Sequence, residues 1–398
     1  MAEILSFRRV LILADESADW NVAGLRQLER LVLAVDEFAL ENNEKAPVLV
    51  CIFWRPDLDA LQRWMPKDER LTRVEFTNEL DGSPYDLVLS TRLFVYRHAL
   101  RHLIEAAMLG STVMPSSGKM ELWENLFRRV ESLPQHYPGR WEYIANGDQI
   151  DAIEKRFLHG SGKSQDGIVS RYLNRPISRS VTRLLLRFPT TPNGWTFLIF
   201  PIPIIGTLVL GQGTAAAFFW GMILFQIFSV LDGCDGEIAR AKFMESERGR
   251  QLDDQFDVLS NILLVIGLGI GLSRQSNPIW HAGWPYLIEG PAAAALIVLN
   301  EFYLTKNNVL TPSPSPETFG GTLYPRHRDL IERSGILFLG EKTAYWLMQL
   351  TKRDVAILFF VILAAIGWPA LILHLQFGVT AASFALAWRA RTRSSISK

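Results

Sequence analysis

Cysteine is scarce: only Cys51 and Cys234 stand in 398 residues. Their separation excludes a metal knuckle, no disulfide framework is possible, and two such thiols suit a reducing cytosolic face. Charge of one sign is missing too, since 41 Lys and Arg balance 41 Asp and Glu. A nucleic-acid binder usually carries a basic surplus, so no nucleic-acid partner is expected. The opening residues lack a signal sequence, because Val10-Leu11-Ile12-Leu13 is too short an apolar run and no cleavage site follows it. No internal repeat stands out. Gly162-Lys163-Ser164 lacks the glycine that a phosphate loop needs five residues earlier, where Phe157 stands, and no strand precedes it.

What is present divides the chain in two. From Arg9 to about Ile150, short apolar runs alternate with helical patterns. Val10–Leu13, Val48–Phe53 and Asp86–Ser90 read as strands. Leu25–Phe38, Leu58–Trp64 and about Tyr96–Met108 read as helices. Alternation of this kind predicts a parallel, Rossmann-like α/β domain over residues 1–159.

A polar, glycine-rich linker and an amphipathic helix occupy 160–189. Arg171, Arg175, Arg179, Arg183 and Arg187 recur every four residues beside Tyr172, Leu173, Ile177, Val181 and Leu184. Such a stripe suits a juxtamembrane interfacial helix, with apolar groups in the bilayer and guanidiniums on phosphates; a soluble helix with one solvated face is the plainer alternative.

Residues 190–398 carry the long apolar runs: Trp195–Leu210, Ala215–Leu231, Val258–Leu272, Trp284–Phe302, Val355–Leu373 and Val379–Trp388. They predict an all-α, six-helix, multi-pass domain. Cationic residues concentrate in the stripe, in Arg240–Arg250, Lys306–Arg353 and Arg389–Lys398, while the opposite loops hold little beyond Arg274. The positive-inside rule then puts both termini and the α/β domain on the cytoplasmic side of an inner membrane. A long connection from 303 to 353 is made irregular at its start by Pro312, Pro314 and Pro316.

The most informative segment joins the second and third runs. Asp232 and Asp235 share one face near the end of the second helix, and Gly249, Asp253 and Asp257 form one stripe at the start of the third. Two antiparallel helices joined by a short turn would bring the four carboxylates together at the membrane edge. Unpaired, they would repel one another and lose hydration. Two hard divalent cations resolve the conflict, since carboxylate oxygens suit Mg²⁺ or Mn²⁺, and such ions can clamp a pyrophosphate during phosphoryl transfer. Gly236 and Gly249 would let a nucleotide approach the backbone, and Arg240 offers a forked donor to phosphate. A solvated acidic loop is the bland alternative.

The spacing goes further than chemistry. Residues 232–257 read Asp-x2-Asp-Gly-x2-Ala-Arg-x8-Gly-x3-Asp-x3-Asp without a mismatch, and this resembles the signature of the CDP-alcohol phosphotransferases. Asp166–Pro176, Thr191–Thr196 and Lys352-Arg353-Asp354 resemble flanking segments of that family. They are most similar to the branch with a fused cytidylyltransferase domain, the inositol-phosphate cytidylyltransferase/di-myo-inositol-phosphate-phosphate synthases, over about 165–390.

The resemblance implies that Asp232, Asp235, Asp253 and Asp257 hold two metals and that Asp257 is also the general base. It implies contacts to the CDP part from Gly236, Ala239, Arg240 and Gly249, with Asn193 and Thr196 beside the nucleotide. Pro192-Asn193 is equally a good helix start. Arg171, Arg175 and Arg183 are candidates for a phosphate on the acceptor, or for lipid head groups. The implied reaction is attack of an alcohol on the β-phosphate of a CDP-linked donor, releasing CMP, in phospholipid or inositol-phosphodiester synthesis. Donors of the CDP-diacylglycerol or CDP-inositol type and acceptors of the inositol-phosphate or glycerol-phosphate type both fit. Homodimers are common in that family.

The N-terminal domain resembles sugar-phosphate nucleotidyltransferases through Leu13-Ala14, Trp20, Val22–Leu25 and Leu28–Arg30. Where that family cradles a triphosphate, this chain has Asp15-Glu16-Ser17-Ala18-Asp19, without glycine and with three negative charges. Ser90-Thr91-Arg92 stands where a metal-binding aspartate is expected. A degenerate domain that stabilises, regulates or docks a partner is therefore predicted. His327 and His374 belong to no constellation. Two other functions compete with the transferase: a membrane prenyltransferase, which needs no Gly-x2-Ala-Arg segment, and a catalytically silent scaffold, which would tolerate loss of a motif aspartate.

Overall fold

The computed structural model describes residues 8–42, 46–77, 80, 82–107, 119–132, 136–137, 139–160, 167–275, 283–306, 340 and 352–396. Gly162-Lys163-Ser164, Met108, Pro312, Pro314, Pro316 and His327 lie outside them. The chain divides into two compact units. The first contains residues 1–161, 183–190 and 237–244; the second contains 162–182, 191–236 and 245–398.

The first unit is built on a four-stranded parallel sheet. Its strands are β1 (Arg9–Ala14), β2 (Val48–Trp54), β3 (Val74–Thr77) and β4 (Leu87–Ser90), in the order β3-β2-β1-β4. Leu11 pairs with Cys51 on one side and Val88 on the other, so β1 is central. Val10 to Ala14 are fully buried, as a strand covered on both faces requires. Helix α1 (Gln27–Glu41) packs its apolar face, including Leu28, Leu31 and Val35, into the core beside the sheet. A second, antiparallel sheet joins β5 (Leu93–Val95), β6 (His136–Tyr137) and β7 (Trp141–Tyr143) in the order β5-β7-β6. Helices α2 (Leu100–Ala107), α3 (Lys119–Glu131) and α4 (Ile150–Gly160), a short antiparallel pairing of Asn21–Val22 with Leu25–Arg26 and three 3₁₀ turns complete the described elements.

Two sequence expectations fail here. No α-helix forms over Leu58–Trp64; one 3₁₀ turn, Ala60–Gln62, stands there and Leu61 is fully exposed. Pro56 and Pro66 bracket a segment too short to nucleate a helix, and while Leu58 and Trp64 pack against the core, Leu61 between them faces solvent. The helix expected from Tyr96 begins only at Leu100, because β5 runs to Val95 and His98 is left-handed at φ 58°.

The second unit is helical. A single π-helical turn, Ser170–Asn174, leads into α5 (Arg175–Leu185). Tyr172 and Ile177 are 75% and 46% exposed, the unpartnered face expected of an interfacial helix. Then follow α6 (Pro192–Ile199), α7 (Pro201–Leu210), α8 (Ala215–Ala241), α9 (Glu247–Arg274), α10 (Trp284–Lys306), α11 (Arg353–Ala365) and α12 (Pro369–Ile396). Among the described residues, four stretches are long and apolar enough to cross a membrane: Pro192–Leu210, Ala215–Ala241, Glu247–Arg274 and Pro369–Leu386. Glycines let these helices touch. A Cβ on Gly271 would stand 2.1 Å from Leu210 O, and one on Gly267 would stand 3.1 Å from Thr207 Cα.

The last two helices divide earlier than the apolar runs suggest. The break falls at Gly367-Trp368-Pro369 rather than between Leu373 and Val379. Gly367 takes φ 81°, Trp368 N–H donates to Leu363 O at 2.8 Å, and Pro369 opens α12. This is a glycine-terminated helix end followed by a proline start.

Candidate active site

Helix α8 continues without interruption from its apolar part through Asp232, Asp235 and Gly236. The next helix, α9, begins at a built cap: Ser246 Oγ accepts the Gly249 amide at 3.0 Å, so Asp253 and Asp257 fall on its second and third turns. Asp232, Asp235 and Asp253 converge until one carboxylate oxygen from each lies within 4.8 Å of the others, a group able to hold a metal ion. With oxygen donors alone, the set matches hard divalent cations.

Asp235 is the most buried of the three, at 8% exposed. It is oriented by Thr196, itself 2% exposed, whose Oγ1 donates to Asp235 Oδ2 at 2.8 Å. The segment carrying Thr196 is locally determined. Thr191 caps α6 by accepting the Gly194 amide at 3.2 Å, Pro192 fills the first helical position, and Trp195 Nε1 donates to Leu231 O at 2.9 Å. The last bond fastens α6 to α8 one residue before Asp232. Asn193 is exposed at the α6 start, and its Oδ1 would lie 3.3 Å from a Cβ on Gly249. Ser246 Oγ would lie 3.1 Å from the same Cβ, so glycine is the residue that fits.

Asp257 lines the same cavity, of about 390 Å³, as the other three aspartates, but its carboxylate pairs with Arg353. Arg353 Nη1 is also 3.5 Å from Asp232 Oδ2, and its Nη2 donates to Ser260 Oγ at 3.0 Å. The neighbouring Asp354 also lines the cavity and accepts the Ser170 amide at 2.6 Å, which anchors the turn ahead of α5. A Cβ on Gly167 would overlap that carboxylate at 2.3 Å. Arg175, 6% exposed, reaches into the cavity lining and donates from Nη1 to Gly233 O at 3.3 Å. The cavity thus gathers Arg175, Lys352 and Arg353 with the four motif aspartates and Gly236.

The other expected site residues stand elsewhere. Thr196 supports Asp235 from behind the cavity lining, whereas Asn193 and Gly249 lie close to each other outside that lining. Ala239 and Arg240 continue α8 past Gly236 and group with the first unit. Arg171 is exposed in the π-helical turn ahead of α5. Arg183 belongs to the first unit, where it pairs with Asp151 at 2.7 Å and Glu154 at 3.6 Å. Arg353 and Lys352 carried no assigned role in the sequence; the resemblance of Lys352-Arg353-Asp354 to a flanking family segment and their position at the start of an apolar run were the available signals.

In the first unit, the loop after β1 is closed on itself. Asp15, 2% exposed, accepts the Ser17 amide at 2.9 Å and pairs with Arg92 Nε at 2.8 Å. Arg92 also pairs with Glu16 at 2.8 Å. The arginine is spent on internal carboxylates rather than aimed outward.

Comparison with known proteins bears on the family. Residues 189–323 match the family model for CDP-alcohol phosphatidyltransferase. A bifunctional IPC transferase and DIPP synthase of Rubrobacter xylanophilus is 34% identical over 158 residues, 40% of this chain and 34% of that protein. Proteins of the same name from Thermococcus kodakarensis and Aquifex aeolicus are 32% and 36% identical, each over 35% of this chain and 31% of theirs. The chain therefore spans about a third of the length of these curated relatives. The family match covers α6 to α10 and so both helices that bear the aspartates. Residues 189–323 are thus similar to a CDP-alcohol phosphatidyltransferase domain.

Proposed function

We propose that the protein is a membrane-embedded CDP-alcohol phosphotransferase that transfers a substituted phosphate from a CDP-linked donor to an alcohol and releases CMP. The observation that carries this is the convergence of Asp232, Asp235, Asp253 and Asp257 on one cavity from two helices. Two Mg²⁺ ions, or Mn²⁺, held by the four carboxylates would neutralise the donor's pyrophosphate and the charge that develops on it.

The residues have separable tasks. Thr196 fixes the rotamer of Asp235. Gly236 and Gly249 leave room for the nucleotide, and Ala239, Arg240 and Asn193 border it. Asp257 exchanges its Arg353 partner for the acceptor hydroxyl and takes the proton as the alcohol oxygen attacks the β-phosphorus. The new P–O bond forms as the bond to the CMP phosphate breaks. Arg175, Lys352 and Arg353 supply positive charge in the same cavity, suited to an acceptor that itself bears phosphate, such as an inositol phosphate or glycerol phosphate. The names of the relatives favour the inositol type.

The first unit is proposed to be inactive as a nucleotidyltransferase, because Asp15 and Glu16 occupy the loop after β1 and engage Arg92. The donor must then come from a separate cytidylyltransfer reaction. The working arrangement is a homodimer in the cytoplasmic membrane with the first unit on the cytoplasmic side.

Detergent-purified protein with Mg²⁺, CDP-diacylglycerol or CDP-inositol, and a panel of alcohols provides the test. CMP release that needs Mg²⁺ and disappears in Asp257→Asn supports the proposal. Silence with every donor, together with no CDP or metal binding by calorimetry, would sink it in favour of a scaffold.

A further inference from the structure

The end of helix α8 is built into the first unit. Residues 237–244 group with it, and Phe243, 8% exposed, is a member of its hydrophobic core alongside β1, α1 and β5 side chains. The helix stops there in an unusual way. Met244 N–H donates to Ala239 O at 2.8 Å, and Phe243 between them is left-handed at φ 56°. This bonding ends many helices, but the left-handed position normally holds glycine. A phenylalanine pays steric strain there and persists only where its surroundings fix it.

Those surroundings are two arginines. Helix termini leave carbonyls without partners, and here side chains of the first unit take them. Arg30 is fully buried and donates from Nη2 to Ala241 O at 3.0 Å and to Val22 O at 2.9 Å, with its guanidinium 5.6 Å from the Phe243 ring. Arg70 donates from Nη1 to Lys242 O at 2.5 Å and to Phe243 O at 3.1 Å. Its other edge is fixed by Asp68, whose carboxylate accepts Nε at 2.9 Å and Nη2 at 2.5 Å. Lys242 in turn donates to Phe188 O and Thr190 O at 2.8 and 2.9 Å, and its stem fills the space that a Cβ on Gly24 would need. Three successive carbonyls at the α8 terminus, Ala241 to Phe243, are therefore held by side chains more than 170 residues away in sequence.

We propose that the first unit, whatever it has lost as a nucleotidyltransferase, serves as a clamp on the terminus of α8, with Arg70 as its main positioning residue. Ala239 and Arg240 lie in the clamped turn, and α8 runs unbroken from there back to Asp235 and Asp232. Holding the terminus fixes the axial rotation and height of the nucleotide half of the motif. The effect on catalysis rests on the function proposed above; the clamp itself does not.

The test uses the full chain in detergent, with Arg70→Met, Arg70→Lys and Asp68→Asn. Hydrogen exchange is followed by mass spectrometry over peptides spanning 237–246, and CDP affinity is measured by calorimetry with Mg²⁺. Arg70→Met is expected to speed exchange in that peptide about tenfold and weaken CDP about tenfold, while kcat falls less than about threefold, the split of a residue that places a binding group. Arg70→Lys keeps a donor and should recover much of both losses. Where Arg70→Met does not fold, Asp68→Asn should show the same pattern at about threefold. Wild-type exchange in these variants overturns the clamp. Faster exchange with unchanged CDP affinity overturns its role in positioning. A wild type that neither binds CDP nor releases CMP defeats the proposed function instead, and the exchange result still decides the clamp.

Discussion

Replacing Thr196 by valine removes one oxygen and keeps the side-chain shape. In the structure that oxygen donates to Asp235 Oδ2 at 2.8 Å and lies 3.2 Å from Pro192 O, so one proton serves two acceptors. An ionised carboxylate is the stronger acceptor and takes it. A hydrogen bond to a charged group contributes about 1.5–3 kcal/mol. Both residues are nearly closed to solvent, at 2% and 8% exposed, so water does not replace the bond cheaply. Loss of a partner that orients a metal ligand typically weakens metal binding about 10–100-fold. At about 1.4 kcal/mol per tenfold, that range is about 1.4–2.8 kcal/mol, in agreement with the hydrogen-bond figure. Thr196→Val should therefore raise the Mn²⁺ dissociation constant, measured by electron paramagnetic resonance without substrate, by one to two orders of magnitude. The Mg²⁺ concentration that half-saturates CMP release should rise in parallel. Thr196→Ser keeps the donor and should stay within about threefold of wild type. Superimposable metal titrations for Val and wild type, or a serine variant as impaired as valine, would refute the reasoning.

Other perturbations separate chemistry from architecture. Asp253→Asn should abolish detectable CMP release while leaving the detergent melting temperature near wild type, because the carboxylate belongs to a cluster whose mutual repulsion it relieves. Gly249→Ala would press a methyl against Ser246 Oγ and Asn193 Oδ1 at 3.1 and 3.3 Å; CDP affinity by calorimetry should fall while the α9 cap survives. Gly271→Ala meets the Leu210 carbonyl oxygen at 2.1 Å and should destabilise the α7–α9 contact by about 1–3 kcal/mol, read as a lowered melting temperature in detergent. His98 is raised above its ordinary pKa first by its hydrogen bond to Glu41 and further by Glu37. A raised histidine stabilises fully below its unfolded value of about 6.5 and loses that contribution as pH climbs through the folded value. Asparagine tolerates the left-handed backbone at this site, so His98→Asn should lower stability at pH 6 by at most about 0.5 kcal/mol, the side chain being half exposed, and not at pH 9.

The fold was open to sequence reasoning where a signal is local and closed where it is not. The runs Val10–Leu13 and Val48–Phe53 announce a buried parallel pair because aliphatic residues on both faces leave few alternatives. Strand β3, only Val74–Thr77 and half-buried at the sheet edge, has no such run, and it exists because β2 offers it a hydrogen-bonding edge. The Leu58–Trp64 pattern had helical spacing, but Leu58 and Trp64 reach the core while Leu61 stays fully exposed, and spacing alone did not make a helix. At Gly367-Trp368-Pro369 the stop signal was written in the sequence, but the apolar run across it was the stronger cue.

The same contrast runs through the site. Eight motif positions were readable because they lie on two helices adjoining one turn, and helical spacing turns sequence distance directly into a shared face. Arg353 was not readable as a partner of Asp257: the two are 96 positions apart, and only the packing of the helical unit brings them together. The α8 terminus is the sharpest case. Lys242-Phe243-Met244 reads as a connection between two membrane helices, and nothing in it asks for a partner. Yet the left-handed Phe243 and the carbonyls held by Arg30 and Arg70 make it a core element of the first unit. If the first unit is inactive, as proposed, these contacts need another physical reason. Arg30 is fully buried and Asp68 grips one edge of the Arg70 guanidinium, and burying a cation is costly unless its partners compensate. Retention of the arrangement is explained if the motif at the end of α8 depends on being held.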